Sequence, residues 1–376
     1  MIDASWMRRA LDLAAIALGN TAPNPAVGAV LVREGGVIGE GWTQPVGHDH
    51  AEAVAVKSAR DAGFETSGAT MYVTLEPCCH QGRTPPCTDA LLAAGVTRVV
   101  VGTLDPFPAM RGKGLDFLRK AGVEVRLGVE RHRCEKQILG FARSLGFGLP
   151  EVSSKAAISA DGNIATASGE SQWITGPLAR EDGHRLRASH DALLVGSGTV
   201  IADNPRMTCR LPAVPGRPMP TDPIPVVLDS RLRIPDDARL FQSSRRPLIF
   251  CSEEAPVREL DADVVRLPVA LGDRLDIELA LRTVAARGLH RVLIEGGGEV
   301  HRSAIDAGLV DSLHLYVAGL VLPGGVPWLG GEPLGRLDQA PRMELEEMRR
   351  VGPDARLSYR LLHAIAPDPL AALREA

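Results

Sequence analysis

The sequence contains few aromatic residues and no basic tract. Aromatic side chains make up 4% of its 376 residues, and no run of lysine or arginine is longer than a pair. The formal net charge is −4. Proteins that bind nucleic acid neutralise phosphates with basic surfaces and stack unpaired bases on aromatic rings. The composition therefore argues against nucleic acid as a partner.

Cysteine and long apolar runs are also scarce. Six cysteines are too few for the disulfide framework of a small secreted domain, and no apolar stretch reaches the roughly 20 residues of a membrane span. Arg8-Arg9 and the apolar run that follows resemble an export signal, but Asp12 interrupts the run. Apolar residues recur there at helical spacing: Met7, Leu11, Ala14, Ala15 and Leu18. We expect an amphipathic first helix that ends at Gly19, no membrane association and a cytoplasmic protein.

The length and the pattern of apolar runs predict two α/β domains. Strand-like runs alternate with helix-like ones, which favours largely parallel sheets. Residues 147–150, Phe-Gly-Leu-Pro, interrupt this alternation and predict a boundary there. We therefore divide the chain into domains at residues 1–147 and 148–365, and leave residues 366–376 unassigned. A proline-rich segment at 205–225 predicts an extended excursion within the second domain.

Three residues and their spacing predict a catalytic zinc site. His50, Cys78 and Cys87 supply one imidazole and two thiols, the donors that zinc prefers when its fourth position stays open to water. Glu52 lies two residues after His50 and can move protons for that water without binding the metal. The pattern matches the His-x-Glu and Pro-Cys elements of zinc-dependent nucleobase deaminases, although eight residues separate the two cysteines where the common form has two. Cysteines buried in a core, and a purely structural zinc site, are the alternatives.

These residues can form one site only if His50 lies at the start of its helix. Side chains two apart within a helix point to opposite sides, so His50 and Glu52 can reach one water only if His50 starts the helix. Cys87 follows Pro85-Pro86 and precedes a helix-forming run. The positive end of a helix favours the thiolate that zinc requires, so we expect Cys87 at a helix N-terminus.

The second half has weaker signals of its own. No Gly-x-Gly-x-x-Gly element follows a strand, but Gly296-Gly297-Gly298 ends one and begins a helix-like run, where backbone N–H groups could approach a phosphate. Taken alone, this signal is weak and the glycines favour a plain tight turn. Arg187, Arg206 and Arg210 could bind a substrate phosphate, or could be solvated surface residues.

Residues 77–87, Pro-Cys-Cys-His-Gln-Gly-Arg-Thr-Pro-Pro-Cys, give a specific resemblance. This segment, with Pro23-Asn24-Pro25 before it, resembles the deaminase domain of the bifunctional riboflavin-biosynthesis deaminase/reductase family, whose fold is cytidine-deaminase-like. The resemblance implies a zinc ion held by His50, Cys78 and Cys87, with Glu52 as proton shuttle. It also implies substrate contacts from Asn24, His80 and Arg83.

This chain departs from the family pattern at two positions of the first domain. Cys79 stands where the family usually has serine, and Thr43 stands where many members have histidine. His48 is a candidate to replace the contact that this histidine makes.

The second half resembles the reductase domain of the same family, which is similar to dihydrofolate reductase. The motifs are Ser159-Ala160-Asp161-Gly162, residues 168–175 and residues 200–205. The resemblance implies NADPH, with cofactor contacts from Ala157, Trp173, Thr199, Asp203, Ser230, Gly296, Gly297 and Gly298. It implies substrate contacts from Ser171, Arg187, Met207, Arg210 and Glu295, where Met207 replaces the usual leucine. Lys155 and Asp203 are candidates for the chemistry.

The resemblance as a whole implies two successive reactions on one phosphorylated pyrimidine. A zinc-dependent deamination precedes an NADPH-dependent reduction of the ribosyl group to a ribityl chain. We expect small-molecule substrates and a homo-oligomer, with neither nucleic acid nor membrane as a partner. A nucleic-acid-editing deaminase with an accessory domain is the rival function, and it would need the basic or stacking surface that the sequence lacks.

Overall fold

The computed structural model describes residues 2–82, 84–215, 218–269, 274–362 and 369–374, and Arg83 lies outside them. The chain forms two compact units that meet in sequence between Gly148 and Leu149. The first consists mainly of residues 2–148 and the second mainly of residues 149–362. Among the described residues, no helix combines the length and the apolar character needed to cross a bilayer.

The first unit is a five-stranded mixed sheet flanked by helices, in the order β2-β1-β3-β4-β5. Strand β1 is antiparallel to both of its neighbours, whereas β3, β4 and β5 are parallel. The strands are β1 (Gly28–Arg33), β2 (Gly36–Trp42), β3 (Thr70–Leu75), β4 (Arg98–Thr103) and β5 (Glu124–Leu127). The helices are α1 (Ile2–Ala17), α2 (Ala51–Asp61), α3 (Cys87–Ala93), α4 (Lys113–Lys120), α5 (Arg131–Gln137) and α6 (Leu139–Phe147).

Close packing of α2 on β2 sets the start of that helix. A Cβ atom on Gly41 would lie 2.3 Å from the Ala51 carbonyl oxygen, so only glycine permits this approach. Helix α1 presents a slightly different face from the predicted one, since Ala15 is exposed and Ala10 and Ala17 are buried.

The second unit is built on a nine-stranded sheet in the order β11-β10-β9-β8-β12-β6-β13-β16-β15. The first seven strands of this order, from β11 to β13, are parallel to their neighbours. The last two, β16 and β15, are antiparallel and form one edge of the sheet. The strands of this sheet are β6 (Glu151–Ile158), β8 (Ala192–Gly196), β9 (Ile224–Leu228), β10 (Leu248–Ser252), β11 (Asp263–Leu267), β12 (Arg291–Gly296), β13 (Ser312–Val317), β15 (Met343–Val351) and β16 (Asp354–Leu361). Strands β7 (Asn163–Ala165) and β14 (Val326–Pro327) pair separately.

The helices of the second unit are α7 (Pro177–Ala188), α8 (Ser197–Asp203), α9 (Ile277–Ala286) and α10 (Gly298–Asp306), with 3₁₀ turns at Arg239–Gln242 and Leu337–Gln339. The short helix α11 (Ala371–Arg374) belongs to the first unit. There Leu370 and Leu373 join the first unit's core, and the Arg374 guanidinium donates to Glu135 at 2.7 Å. In the proline-rich segment at 205–225, the described residues up to 223 form neither helix nor strand, as expected, whereas residues 224 and 225 already belong to β9.

Three local features of the fold differ from what the sequence indicates. Thr175, two residues before Pro177, is the sequence candidate for the N-cap of α7, but Gly176 is the N-cap residue and its N–H donates to the Asp354 carboxylate at 2.7 Å. Helix α6 was not predicted. Nor was β15, whose residues are almost all exposed and therefore lack the alternation of a half-buried strand.

Candidate functional site

The zinc-type cluster lies in the first unit, at the start of two helices. His50 is the N-cap residue of α2, and Cys87 is the first residue of α3, as the geometric condition required. Cys78 follows the end of β3 by three residues. The three residues therefore lie at the starts of two helices and just after the carboxyl end of a strand.

The donor atoms of this cluster face one another. The His50 Nδ1 atom lies 3.6 Å from Cys78 Sγ and 3.3 Å from Cys87 Sγ, and all three donor atoms lie within 4.8 Å of one another. A tetrahedral zinc holds sulfur and nitrogen ligands roughly 3.5 Å apart, given its bond lengths of about 2.3 Å and 2.0–2.1 Å. The residues therefore fit a zinc ion bound through Nδ1 and two sulfurs.

The electrostatics of the cluster favour metal binding. Hydrogen bonds from Cys87, including one from its backbone N–H at 3.4 Å, lower the pKa of the Cys78 thiol to about 4. Glu52 is buried beside the cluster on the first turn of α2, and this burial raises the pKa of its carboxyl to about 7. A carboxyl that exchanges its proton near neutral pH suits a shuttle role.

The other residues predicted for this site are less closely defined. Asn24 is half-buried in the loop before β1, and His80 is exposed between Cys78 and Cys87. Thr43 is buried, and its hydroxyl accepts a hydrogen bond from the Val27 N–H at 3.0 Å. His48 is exposed. The substrate roles of these residues stay predictions.

Glu76 is a buried residue beside the cluster that the sequence analysis missed. Its carboxylate accepts four backbone N–H groups, which come from Asp105 at 3.1 Å, Gly112 at 2.9 Å, Gly114 at 2.9 Å and Leu115 at 3.4 Å. These donors belong to the loop after β4 and the start of α4. Glu76 therefore ties that loop to the segment that carries Cys78, two residues further on.

Asp105 is a second residue that was missed. Burial, together with the nearby negative charges of Glu76 and Cys78, raises the pKa of its carboxyl to about 6. A sequence signal existed for both residues. Glu76 directly follows β3 and Asp105 lies two residues after β4, and acids just after parallel strands lie at the carboxyl edge of a sheet, where sites form.

A large pocket in the second unit opens at the carboxyl edge of its parallel strands. Its volume is about 830 Å³. It is lined by residues that end or follow β6, β8, β9 and β12, the edge where α/β sheets usually bind ligands. Eleven residues predicted for chemistry, substrate or cofactor line it: Lys155, Ala157, Ser171, Trp173, Thr199, Asp203, Ser230, Glu295, Gly296, Gly297 and Gly298.

Two of the glycines that line this pocket occupy positions that disfavour a larger residue. A Cβ atom on Gly296 would lie 2.7 Å from Thr199 Oγ1, so the end of β12 and the start of α8 could not approach as they do with a larger residue. Gly297 adopts a positive φ of 82°, which favours glycine. The glycine run is thus more than a plain tight turn, since it also shapes the pocket wall.

A buried charge cluster lies at the β6 end of the pocket. The Arg187 guanidinium donates to both carboxylate oxygens of Glu295, at 2.6 Å and 3.0 Å. Burial alone would raise the pKa of Glu295, but Arg187 and Lys155 lower it to about 2. Burial lowers the pKa of the Lys155 ammonium, and Glu295 opposes this effect. The Lys155 Nζ atom also lies 5.6 Å from the centre of the Tyr316 ring.

Asp203 lies at the rim, where it is exposed at the last position of α8 and accepts a hydrogen bond from Ser171 Oγ at 3.4 Å. Arg210 is also exposed, and its guanidinium donates to Thr208 Oγ1. Burial of part of the group and the neighbouring cations Arg187 and Arg206 lower the pKa of Arg210. Like charges held together in this way favour an anionic ligand.

The prediction for Met207 needs correction at the side-chain level. Its side chain is 1% exposed and packs in the hydrophobic core with a φ of 55°. A substrate contact at this position could therefore come only from the main chain. Arg187 and Arg210 also do not line the 830 Å³ pocket itself.

Two family models match this chain, one in each of the two units. A family model described as "Cytidine and deoxycytidylate deaminase zinc-binding region" matches residues 1–103. A second model, described as "RibD C-terminal domain", matches residues 150–357.

Two curated relatives share the full organisation. The riboflavin biosynthesis protein RibD of Escherichia coli strain K12 is 39% identical over 364 residues, which cover 94% of this chain and 98% of that protein. RibD of Bacillus amyloliquefaciens is 38% identical over 359 residues, covering 94% and 95%.

Solved structures agree with these relatives. Acinetobacter baumannii RibD superimposes with a TM-score of 0.83 at 35% identity, covering 96% of this chain and 99% of that one. The diaminohydroxyphosphoribosylaminopyrimidine deaminase/5-amino-6-(5-phosphoribosylamino)uracil reductase of Thermotoga maritima gives a TM-score of 0.84 at 34% identity, with the same coverage. The expected fold class, a cytidine-deaminase-like domain followed by a dihydrofolate-reductase-like one, is confirmed by these matches.

The cysteine assignment predicts which substitutions release zinc. We expect purified protein to contain about one zinc per chain, since three donors and one open position make a catalytic site. Cys78→Ala should lose the metal because it removes a ligand, whereas Cys79→Ser should keep it because Cys79 lies outside the cluster. Metal content by mass spectrometry measures both. Zinc retained by Cys78→Ala and lost by Cys79→Ser would reverse the assignment.

The four hydrogen bonds to Glu76 predict a stability defect for Glu76→Gln. The amide nitrogen of glutamine would face N–H groups that need an acceptor, and each buried donor left unpaired costs about 1–3 kcal/mol. Thermal unfolding should therefore shift downward, with weaker zinc retention. The matched control is Glu34→Gln in the exposed turn after β1, where the side chain is 84% exposed and no change is expected. Equal melting temperatures for the two variants would remove Glu76 from this role.

Proposed function

Since the chain belongs to the RibD family of riboflavin biosynthesis, a bifunctional deaminase and reductase that uses Zn²⁺ and NADPH, we propose that its two units act in turn on one phosphorylated pyrimidine. The first reaction deaminates 2,5-diamino-6-(5-phosphoribosylamino)pyrimidin-4(3H)-one. The second reduces the ribosyl group of the product to a ribityl chain. The observation that carries this proposal is the buried Glu52 beside two sulfurs and one imidazole nitrogen, in a chain that also holds the glycine-lined pocket.

In the first reaction, zinc supplies the Lewis acidity that makes water nucleophilic at neutral pH. His50 Nδ1 and the sulfurs of Cys78 and Cys87 would hold the ion. Glu52 would take the proton of the attacking water and deliver it to the departing amine, two transfers that one positioned carboxyl can perform. Its raised pKa, about 7, supports both directions of transfer. Asn24, His80 and Arg83 would position the pyrimidine and its phosphate.

In the second reaction, NADPH supplies the hydride to the open imine or carbonyl form of the ribose. The glycines at 296–298, with Ala157, Trp173, Thr199 and Ser230, would bind the cofactor. Lys155 would donate the proton that the reduced group must gain, since its lowered pKa makes it a better acid. Asp203 and Ser171, which share a hydrogen bond at the rim, would orient the sugar.

The substrate phosphate would bind among Arg206 and Arg210. Arg187 is already neutralised by Glu295, so its role would be to orient that carboxylate and the Thr208 carbonyl, to which it donates at 2.9 Å. Arg210 has no carboxylate partner among the ion pairs of the described residues, which leaves its charge available to an anion.

We assign the deaminase function to residues 1–147 and the reductase function to residues 148–365. Residues 366–376 receive no function, although α11 within them packs on the first unit. The matched ranges of the two family models support this division. We also place the protein in the cytoplasm, which the six free cysteines support. Enzyme activity in the cytoplasmic fraction, and its absence elsewhere, would test the location.

A homo-oligomer is part of the same proposal. The edge strand β15 exposes Met343, Leu345 and Met348, whose partners on β16 show that they share one face of the sheet. Such a face is typical of a surface that a second copy covers. Sedimentation analysis would test it, and a monomer at micromolar concentration would contradict it.

The proposed function predicts separable activities. Wild-type protein should release ammonia from the diaminopyrimidinone and then oxidise NADPH. Glu52→Gln should retain zinc and fold but lower deamination by at least 10²–10⁴-fold, because one group acts at two proton transfers. NADPH oxidation on pre-deaminated substrate is the internal control and should not change. Loss of both activities would indicate a collapsed structure, and normal ammonia release would exclude Glu52 from the chemistry.

The reductase assignment predicts that some substitutions lower turnover whereas another weakens substrate binding. Lys155→Met and Asp203→Asn should lower kcat for reduction much more than they weaken NADPH binding, because the first removes the proposed proton donor and the second removes a residue proposed to orient the sugar. Arg210→Ala should instead mainly raise the KM of the substrate, because a phosphate contact acts equally in the ground and transition states. Steady-state kinetics on pre-deaminated substrate measures all three. Unchanged kinetics for Asp203→Asn would leave it only a structural role.

A further inference from the structure

Helix α7 holds the segment that carries Arg210 through two side chains and one carbonyl. The Arg187 guanidinium donates to the Thr208 carbonyl at 2.9 Å, and the backbone N–H of Arg210 donates to His184 Nδ1 at 3.3 Å. Between them, the Cys209 thiol donates to the His184 carbonyl at 3.4 Å. Residues three apart in a helix lie on the same face, so His184 and Arg187 present one surface to this segment.

The hydrogen bond from Arg210 fixes the tautomer of the His184 ring. A ring nitrogen that accepts a hydrogen bond carries no proton, so the proton of the neutral imidazole lies on Nε2. Burial and the neighbouring cations, Arg187 foremost, lower the pKa of His184 to about 4, and the ring is therefore neutral near pH 7. Nε2 has no hydrogen-bond partner among the described residues. His184 thus offers one uncharged N–H donor whose position is set by its other nitrogen.

The charged groups that act on this ring carry a net positive charge. They are three cations, Arg187, Arg210 and Lys155, and the carboxylate of Glu295. Arg187 is paired with Glu295 at 2.6 Å, so Arg210 and Lys155 supply the excess positive charge. Cations held together in this way favour an anionic ligand beside the His184 ring.

Helix α7 also brings His184 close to the proposed proton donor. A Cβ atom on Gly183, the preceding residue, would lie 3.8 Å from Lys155 Cε. Lys155 lines the 830 Å³ pocket, whereas His184 and Arg210 are not among the residues that line it. The reacting carbon of the substrate and its phosphate stand at opposite ends of the ribose chain. A substrate whose reacting carbon reaches Lys155 would therefore extend out of the pocket, with its phosphate toward His184 and Arg210.

We propose that His184 makes the reductase select a phosphorylated substrate: its Nε2–H donates to the substrate phosphate, and its Nδ1 holds the main chain of Arg210 in position for the same phosphate. A neutral donor beside a guanidinium adds a directed, charge-assisted hydrogen bond. It does so without adding a further positive charge to cations that already repel one another. This inference rests on the proposed reductase function and deepens it, because it names a further contact of the substrate phosphate.

The test measures reduction by the full-length protein of two compounds, the pre-deaminated substrate and the same compound without its phosphate. His184→Asn keeps an acceptor near the place of Nδ1 but lacks the Nε2–H. It should lower kcat/KM for the phosphorylated compound roughly 10- to 100-fold, the range expected for one hydrogen bond to a charged group. The loss should lie mainly in KM, and kcat/KM for the compound without phosphate should stay within about twofold of wild type.

Two further variants complete the comparison. His184→Ala should lose more than His184→Asn with the phosphorylated compound, because Arg210 then also loses the acceptor for its main-chain N–H. Arg185→Ala is the matched control, since Arg185 is the next residue of α7, is exposed and pairs with Glu181. It should match wild type with both compounds.

A binding measurement separates this inference from the proposed function. Equal losses with both compounds in His184→Asn, or kinetics like those of wild type, would overturn the inference while leaving the reductase intact. A wild type that reduces neither compound would instead count against the proposed function. Calorimetric titration with the two compounds would still decide the role of His184 in that case. Tighter binding of the phosphorylated compound that is reduced in His184→Asn would support the role, and an unchanged preference would exclude it.

Discussion

The convergence of loops at the carboxyl edge of parallel strands is the constraint on which both candidate sites depend. Parallel strands end at the same edge, so segments distant in sequence meet there. In the first unit the segment after β3 carries Glu76 and Cys78, and the loop after β4 carries Asp105. In the second, the residues that follow β8, β9 and β12 form one pocket wall. The close approaches at Gly41 and Gly296 are local conditions for this convergence, because a side chain there would hold the helices away.

Glu52 and Glu295 show that the pKa of a buried carboxyl shifts in opposite directions at the two sites. Glu52 is buried without a guanidinium partner, and its pKa rises to about 7. Glu295 is also buried, but Arg187 and Lys155 hold its pKa at about 2. A carboxyl of the first kind can carry protons at neutral pH, whereas one of the second kind stays charged and orients cations. The chemistry assigned to each unit follows from the partner and not from the residue type.

The sequence predicted the parts of the structure that depend on neighbours along the chain. The helix start at His50 follows from local spacing, and so does the alternation of strand-like and helix-like runs that gives two α/β units. What it did not predict depends on distant backbone. The four donors to Glu76 come from residues 105–115, and the partner of Gly176 is Asp354. Strand β15 was missed because its exposed Glu and Arg residues resemble a loop. Met207 is buried with a positive φ, a backbone conformation that the local sequence does not predict.

The charges around Lys155 link ligand binding to its protonation. Arg187 and Glu295 neutralise each other, so the Lys155 ammonium is the excess positive charge of this buried cluster. Tyr316 provides only the face of its ring, because its hydroxyl donates to Asp182 at 2.7 Å, and Asp182 is itself paired with Arg356 and Arg349. Glu295, the carboxylate near Lys155, is already paired with Arg187, so Lys155 has no ion-pair partner of its own among the described residues. An anionic ligand beside it would favour the charged form of Lys155, and the negative charge that develops when hydride reaches the sugar would then draw the proton from it.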